Sequence, residues 1–129
     1  MVKLAISGCQ GRMGLRIMHL AQEDNEFKIA SLLEHANHPA LEGQVDKINI
    51  TSDASTVKEA DVLIEFTSPE ATIEHLQECL KHKVGMVIGT TGFSDEQIEQ
   101  IIEASETIPI VFASNMSVGV NILFELAKQ

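Results

Sequence analysis

Residues 8–14 read Gly8-Cys9-Gln10-Gly11-Arg12-Met13-Gly14, three glycines at spacings of three, directly after the apolar run Val2-Lys3-Leu4-Ala5-Ile6. On their far side Met13, Ile17, Leu20 and Ala21 fall at i, i+4, i+7 and i+8, one apolar stripe of a helix beginning at the third glycine. The stretch is thus a strand-to-helix turn. In such a turn Gly8 makes the tight bend, Gly11 lets a ligand approach the backbone, and Gly14 lets the helix pack closely on the strand. The helix start offers free N–H groups and a positive dipole end, which suits a pyrophosphate. A Walker A loop does not fit, because no Gly-Lys-Ser/Thr follows. A glycine-rich turn alone is also a common structural device, so the remainder of the chain has to complete the pattern.

Further apolar runs occupy Phe27 to Leu33, Ile48 to Thr51, Asp61 to Phe66, Val84 to Ile88 and Ile108 to Phe112. Most are nearly continuous instead of alternating, as strands buried on both faces of a parallel sheet require. Between them, Ser68-Pro69 reads as an N-cap and first helical residue ahead of Ile73, Leu76 and Leu80. Ser94-Asp95-Glu96-Gln97 is a capping-box pattern followed by Ile98, Ile101 and Ile102. The acids Asp95, Glu96, Glu99, Glu103 and Glu106 read as a solvated face, and residues 35–47 as an irregular loop. Alternating strand and helix predict a doubly wound, mostly parallel α/β sheet with helices on both faces and right-handed crossovers. One domain over residues 1–129 is expected at this length.

Composition narrows the partners. Nine basic against 19 acidic residues give a net charge of -10, which argues against nonspecific nucleic-acid or anionic-membrane binding. No apolar segment approaches a membrane span, and no signal peptide is visible, so a cytoplasmic protein is expected. Cys9 and Cys79 form no CxxC pattern and suggest neither a disulfide framework nor a zinc site. A thiol at a helix N-terminus can have a lowered pKa, so Cys9 is also a candidate redox sensor, the plainer reading being a small turn residue. Cys79 falls on the apolar side of its helix.

Glu34 lies at the end of the second predicted strand, where an acid accepts hydrogen bonds from ribose hydroxyls. His35 follows where selectivity for a 2′-phosphate would usually call for arginine, so NADH use or dual use is expected over strict NADPH preference. His35 and His38 also read as plain loop residues. They are not expected to bind a metal, since no third ligand lies nearby in sequence and structural sites generally need four. His19, His75 and His82 fall in predicted helices and read as surface residues.

Three segments lie just past predicted strand ends, in the crevice where α/β sheets bind ligands: Phe66-Thr67-Ser68-Pro69-Glu70, Gly89-Thr90-Thr91-Gly92-Phe93 and Ala113 to Asn121. Together with GCQGRMG, the ordered set FTSPEAT, GTTGF and ASNMSVGVN resembles the N-terminal domain of the dihydrodipicolinate reductase family, over essentially the whole chain. GTTGF and SVGVN are its most specific parts.

The resemblance implies a Rossmann-type domain binding NADH, NADPH or both. It implies that Gly8, Cys9, Gln10, Gly11, Arg12 and Met13 hold the pyrophosphate and Glu34 the adenosine ribose, to which the reading of the residues adds His35 at the 2′ position and Phe66 and Thr67 in the crevice. Gly89, Thr90 and Thr91 would serve the nicotinamide side, and Ala113, Ser114, Asn115 and Met116 would complete that pocket. In the family, hydride passes to an unsaturated cyclic imine dicarboxylate in lysine and diaminopimelate biosynthesis. Met116 stands where phenylalanine is usual, Glu65 where aspartate is usual, and Ser68 where arginine is frequent. The family also has a second domain with a histidine segment, a lysine and a Ser-Gly-Thr turn that bind the dicarboxylate and donate a proton. Nothing of that kind occurs here, so these residues are expected to be a fragment that binds cofactor without catalysis. The family is commonly tetrameric, and the fragment is expected to be monomeric. Two rivals share the glycine turn: an NAD(H)-sensing module, which has no reason to keep GTTGF, and a coenzyme A-binding domain, which does not require Glu34.

Overall fold

A computed structural model describes residues 1–112 of the chain. Seven strands, β1 (Val2–Ser7), β2 (Phe27–Leu33), β3 (Gln44–Val45), β4 (Ile48–Thr51), β5 (Val62–Glu65), β6 (Gly85–Ile88) and β7 (Ile110–Phe112), alternate with three α-helices. These are α1 (Arg12–Glu23), α2 (Pro69–His82) and α3 (Asp95–Ala104), and a short 3-10 helix spans Ala54–Glu59. The strands form one sheet in the order β3-β4-β2-β1-β5-β6-β7. Every pairing is parallel except β3 with β4. The strand order reverses at β1, so its neighbours β2 and β5 lead away in opposite directions and leave a crevice above the carboxyl ends.

The predicted two-sided burial is observed. On one face Leu4 and Ile6 pack with Ile17, Met18 and Ala21 of α1. On the other, Ala5 and Leu63 pack with Leu76 and Cys79 of α2 and Ile101 of α3. Adjacent strand residues serve opposite cores, which is why β1 and β5 have no room for a solvent-facing polar series.

Several boundaries and faces differ from expectation. The first helix begins at Arg12 with Gly11 as its N-cap, two residues before the third glycine. Its buried stripe is Gly14, Ile17, Met18 and Ala21, while Leu20 turns outward. In α3 the capping box of Ser94 and Gln97 is present and Ile101 is buried, but Ile98 and Ile102 are exposed. The acids of α3 form the expected solvated face. The 35–47 loop is less irregular than expected: it carries β3, whose short antiparallel pairing with β4 blunts that sheet edge. Among the described residues, no helix is long and apolar enough to cross a membrane.

Candidate dinucleotide-binding site

The glycine turn is set by steric demand. Gly8 has φ +75°, and a Cβ there would come within 2.9 Å of the Phe66 carbonyl oxygen. At Gly14 a Cβ would fall 2.2 Å from the Gly8 carbonyl oxygen and 2.8 Å from Cys9 backbone atoms, so α1 reaches its position only with glycine there. Gly11 has more room, its nearest neighbour being the Gly8 carbonyl oxygen at 3.3 Å. It supplies no side chain to cap α1, and the N–H groups of the first helical turn have no intrahelical acceptors. The helix start therefore presents unpaired donors at the sheet's switch point, the arrangement that accommodates phosphate oxygens.

Glu34 follows directly on β2. Its Oε2 accepts from the Gln10 N–H at 2.9 Å, tying the second strand to the glycine turn, and its Oε1 accepts only a long bond from His35 N–H at 3.3 Å. A carboxylate has about four acceptor positions, so Oε1 retains capacity for ribose hydroxyls. These groups share a groove of about 930 Å³ at the carboxyl ends of the strands. Of the expected residues, Gly8, Gln10, Gly11, Arg12, Met13, Glu34, His35, Phe66 and Thr67 line it.

Others fall elsewhere. Cys9 sits beneath the turn, fully buried in the α1-side core, with its N–H donating to Leu33 O, so its side chain does not face the groove. Burial, helped by the Glu34 charge, pushes its thiol up to about 11, opposite to the lowered pKa a redox sensor needs. Thr90 is turned inward: its hydroxyl oxygen accepts from Thr67 N–H at 2.9 Å and lies 2.9 Å from the Thr72 hydroxyl that donates to it. Gly89, Thr90 and Thr91 lie at the end of β6, outside the groove lining. Ala113, Ser114, Asn115 and Met116 lie outside the described residues.

His75 is the clearest correction. Its side chain is 12% exposed, lines the groove, and places Nδ1 2.6 Å from Oε2 of Glu65, which is fully buried. Thr67 donates its hydroxyl to the other Glu65 oxygen, and Ser7 Oγ lies 3.3 Å from the same His75 nitrogen. Desolvation depresses the His75 pKa, but the hydrogen bond and charge of Glu65, with Glu74 and Glu78 nearby, outweigh it and the net shift is upward. The available signal was Glu65 itself: a carboxylate ending an apolar strand has to be buried with a partner. His19 is exposed, and His82 is half-buried with Nε2 3.4 Å from a Glu78 carboxylate oxygen.

A third potential metal donor does stand beside His35 and His38, since donor atoms of both and of Glu34 lie within 4.8 Å of one another. One of the three is otherwise engaged: His38 Nδ1 accepts from Ala40 N–H at 3.0 Å. A ligating histidine normally donates its second nitrogen, and here that nitrogen accepts.

A second groove of about 860 Å³ lies at the opposite, amino ends of the strands, lined in part by Lys3, Lys28 and Asp46. Size does not separate the two. Only the groove at the carboxyl ends has the glycine turn and an uncapped helix start.

Comparison with known proteins places this geometry in a family. The model for the N-terminus of dihydrodipicolinate reductase matches residues 2–116. A 4-hydroxy-tetrahydrodipicolinate reductase from Syntrophotalea carbinolica is 41% identical over 139 aligned positions, covering 100% of this chain and 52% of its own length. The Nitrosomonas eutropha protein of the same name is 43% identical, covering 99% and 51%. The chain thus spans about half the length of the curated relatives it matches. A dipicolinate-bound dihydrodipicolinate reductase from Paenisporosarcina sp. TG-14 superposes with a TM-score of 0.70 at 28% identity, over 82% of this chain and 43% of that one. An NADP-containing aspartate semialdehyde dehydrogenase from Candida albicans shares the fold alone, with a TM-score of 0.61 at 13% identity over 86% of this chain and 42% of that one. With its glycine turn and crevice, and with the family model matching residues 2–116, the chain belongs to the dihydrodipicolinate reductase N-terminal domain family.

Proposed function

We propose that the groove at the carboxyl ends binds NADH or NADPH, and that these residues are the dinucleotide half of a 4-hydroxy-tetrahydrodipicolinate reductase. The observation that carries the reading is the joining of the uncapped α1 start to Glu34 through the Gln10 N–H, 2.9 Å from Oε2. One bond places a diphosphate site and a ribose acceptor at a fixed separation. The cradle fits the group, since side chains at Gly8 and Gly14 would collide with the turn that forms it.

When bound, the dinucleotide would supply hydride for reduction of the unsaturated imine of a cyclic dicarboxylate. The chain's own residues bind and orient. First-turn N–H groups of α1 and the Arg12 side chain meet the diphosphate. Glu34 takes the adenosine ribose, and Phe66 and Thr67 wall the groove beside the glycine turn. His35 tolerates a 2′-phosphate without requiring one, so NADH binds at least as tightly as NADPH. Among the described residues the groove holds one arginine and no lysine, too little to clamp two carboxylates. Holding the dicarboxylate therefore calls for groups beyond these described ones, and the chain alone is expected to bind cofactor without turnover.

Calorimetric titration with NADH and NADPH in one buffer, followed by competition with coenzyme A, tests the reading. NADH binding undisturbed by coenzyme A supports it; displacement by coenzyme A, or no binding of either nicotinamide cofactor, contradicts it.

A further inference from the structure

We propose that His75 is a ligand-contacting residue of the groove, held by Glu65 so that its free Nε2 meets the diphosphate. The inference rests on the dinucleotide reading above. Its basis is the geometry of a buried network that the glycine motif does not involve.

Glu65 is fully buried at the end of β5. A carboxylate has no proton to donate, so the contact of 2.6 Å requires the proton on His75 Nδ1. The other Glu65 oxygen receives the Thr67 hydroxyl, which fixes the carboxylate plane. Ser7, the last residue of β1 before the glycine turn, contacts the same ring nitrogen at 3.3 Å. The imidazole is therefore locked under the turn. Its Nε2 has no hydrogen-bond partner among the described residues, and the ring lines the groove.

Charge supports this placement. Arg12 is the one arginine or lysine among the described residues lining the groove, whereas a dinucleotide brings two phosphates. The groups facing His75 are Glu65 on β5 and Glu74 and Glu78 on α2, with β1 contributing only the uncharged Ser7. Across the groove stand Arg12, Glu34, His35 and His38. The three nearby carboxylates favour the imidazolium. In that form Nε2–H donates to a phosphate oxygen, and as pH rises and the proton leaves, Nε2 retains only a lone pair. Dinucleotide affinity accordingly rises as pH falls through the His75 titration.

The test compares NADH binding by the full chain and by His75→Asn between pH 6 and pH 8.5. Asparagine can keep a donor near the Nδ1 position for Glu65 but removes Nε2. Loss of about tenfold in affinity at the acid end, with a flattened pH profile, is the expected result for one charge-assisted bond. In parallel, the His75 ring is titrated by NMR in the unsubstituted chain with and without NADH, which needs no variant to fold. Linkage requires the bound anion to raise that pKa if His75 meets it. Unchanged NADH affinity and pH profile in the variant, or a ring titration that NADH does not move, overturns the inference while the dinucleotide reading stands. Absence of NADH binding to the unsubstituted chain overturns both.

Discussion

The two halves of the crevice are built in different ways. On the side between β1 and β2, backbone geometry makes the site: a left-handed Gly8, a Gly14 with no space for a Cβ, an uncapped helix start and one carboxylate bonded to Gln10 N–H. On the side between β1 and β5, side chains make it. There Glu65 gathers Thr67 and His75, while the Thr90 hydroxyl joins Thr67 N–H to Thr72. The first kind of site depends on Gly8 and Gly14 having no Cβ. The second depends on a complete set of polar partners, because a carboxylate with no exposure is costly unless paired.

Substitutions should separate these two dependences. Gly14→Ala is expected to have the largest effect, since its methyl would sit 2.2 Å from the Gly8 carbonyl oxygen. Urea denaturation should show a loss of about 3 kcal/mol, with NADH binding abolished as α1 is pushed off the turn. Glu65→Ala is expected to cost about 2–3 kcal/mol by the same measurement, because it strands the buried partners of the carboxylate. If Glu65→Ala is neutral, the contrast between the halves is wrong.

Glu34→Ala sharpens the contrast in the other direction. It leaves the Gln10 N–H without its acceptor, a part-buried bond worth about 1 kcal/mol of stability, yet should weaken NADH by about tenfold in calorimetry through loss of the ribose contact. The smallest expected effect is on pH dependence. A histidine whose folded pKa is raised contributes stability that is fully present below its unfolded value and lost as pH rises through the folded one. Urea midpoints of the unliganded chain should therefore fall from about pH 6.5 upward, and His75→Gln should remove much of that slope.

The same division governs what could be read from the sequence. Strands β2 and β4 lie at the predicted residues, and the helix caps at Ser68 and Ser94 are both formed, because apolar run length and cap chemistry are local signals. The glycine turn and Glu34 were legible for the same reason, one motif and one strand end. Which face each helix buries was less so: Leu20, Ile98 and Ile102 satisfy helical spacing but point away from the core, since position around the helix is decided by the sheet beneath it. The Glu65–His75 pair joins residues 10 apart on two elements, and only the packing of α2 over the strand ends brings them together. The inward turn of Thr90 and the burial of Cys9 were likewise hidden, because a side chain's direction at a strand end is set by neighbouring strands.

The central claim is that the groove at the carboxyl ends, and not the similar one at the opposite end of the sheet, receives a dinucleotide. Amide chemical-shift mapping with NADH tests it most directly. The account predicts perturbations concentrated at Gln10, Gly11, Arg12 and Met13 and at Glu34. Perturbations centred on Lys3, Lys28 and Asp46 around the opposite groove, or none at all, would contradict it.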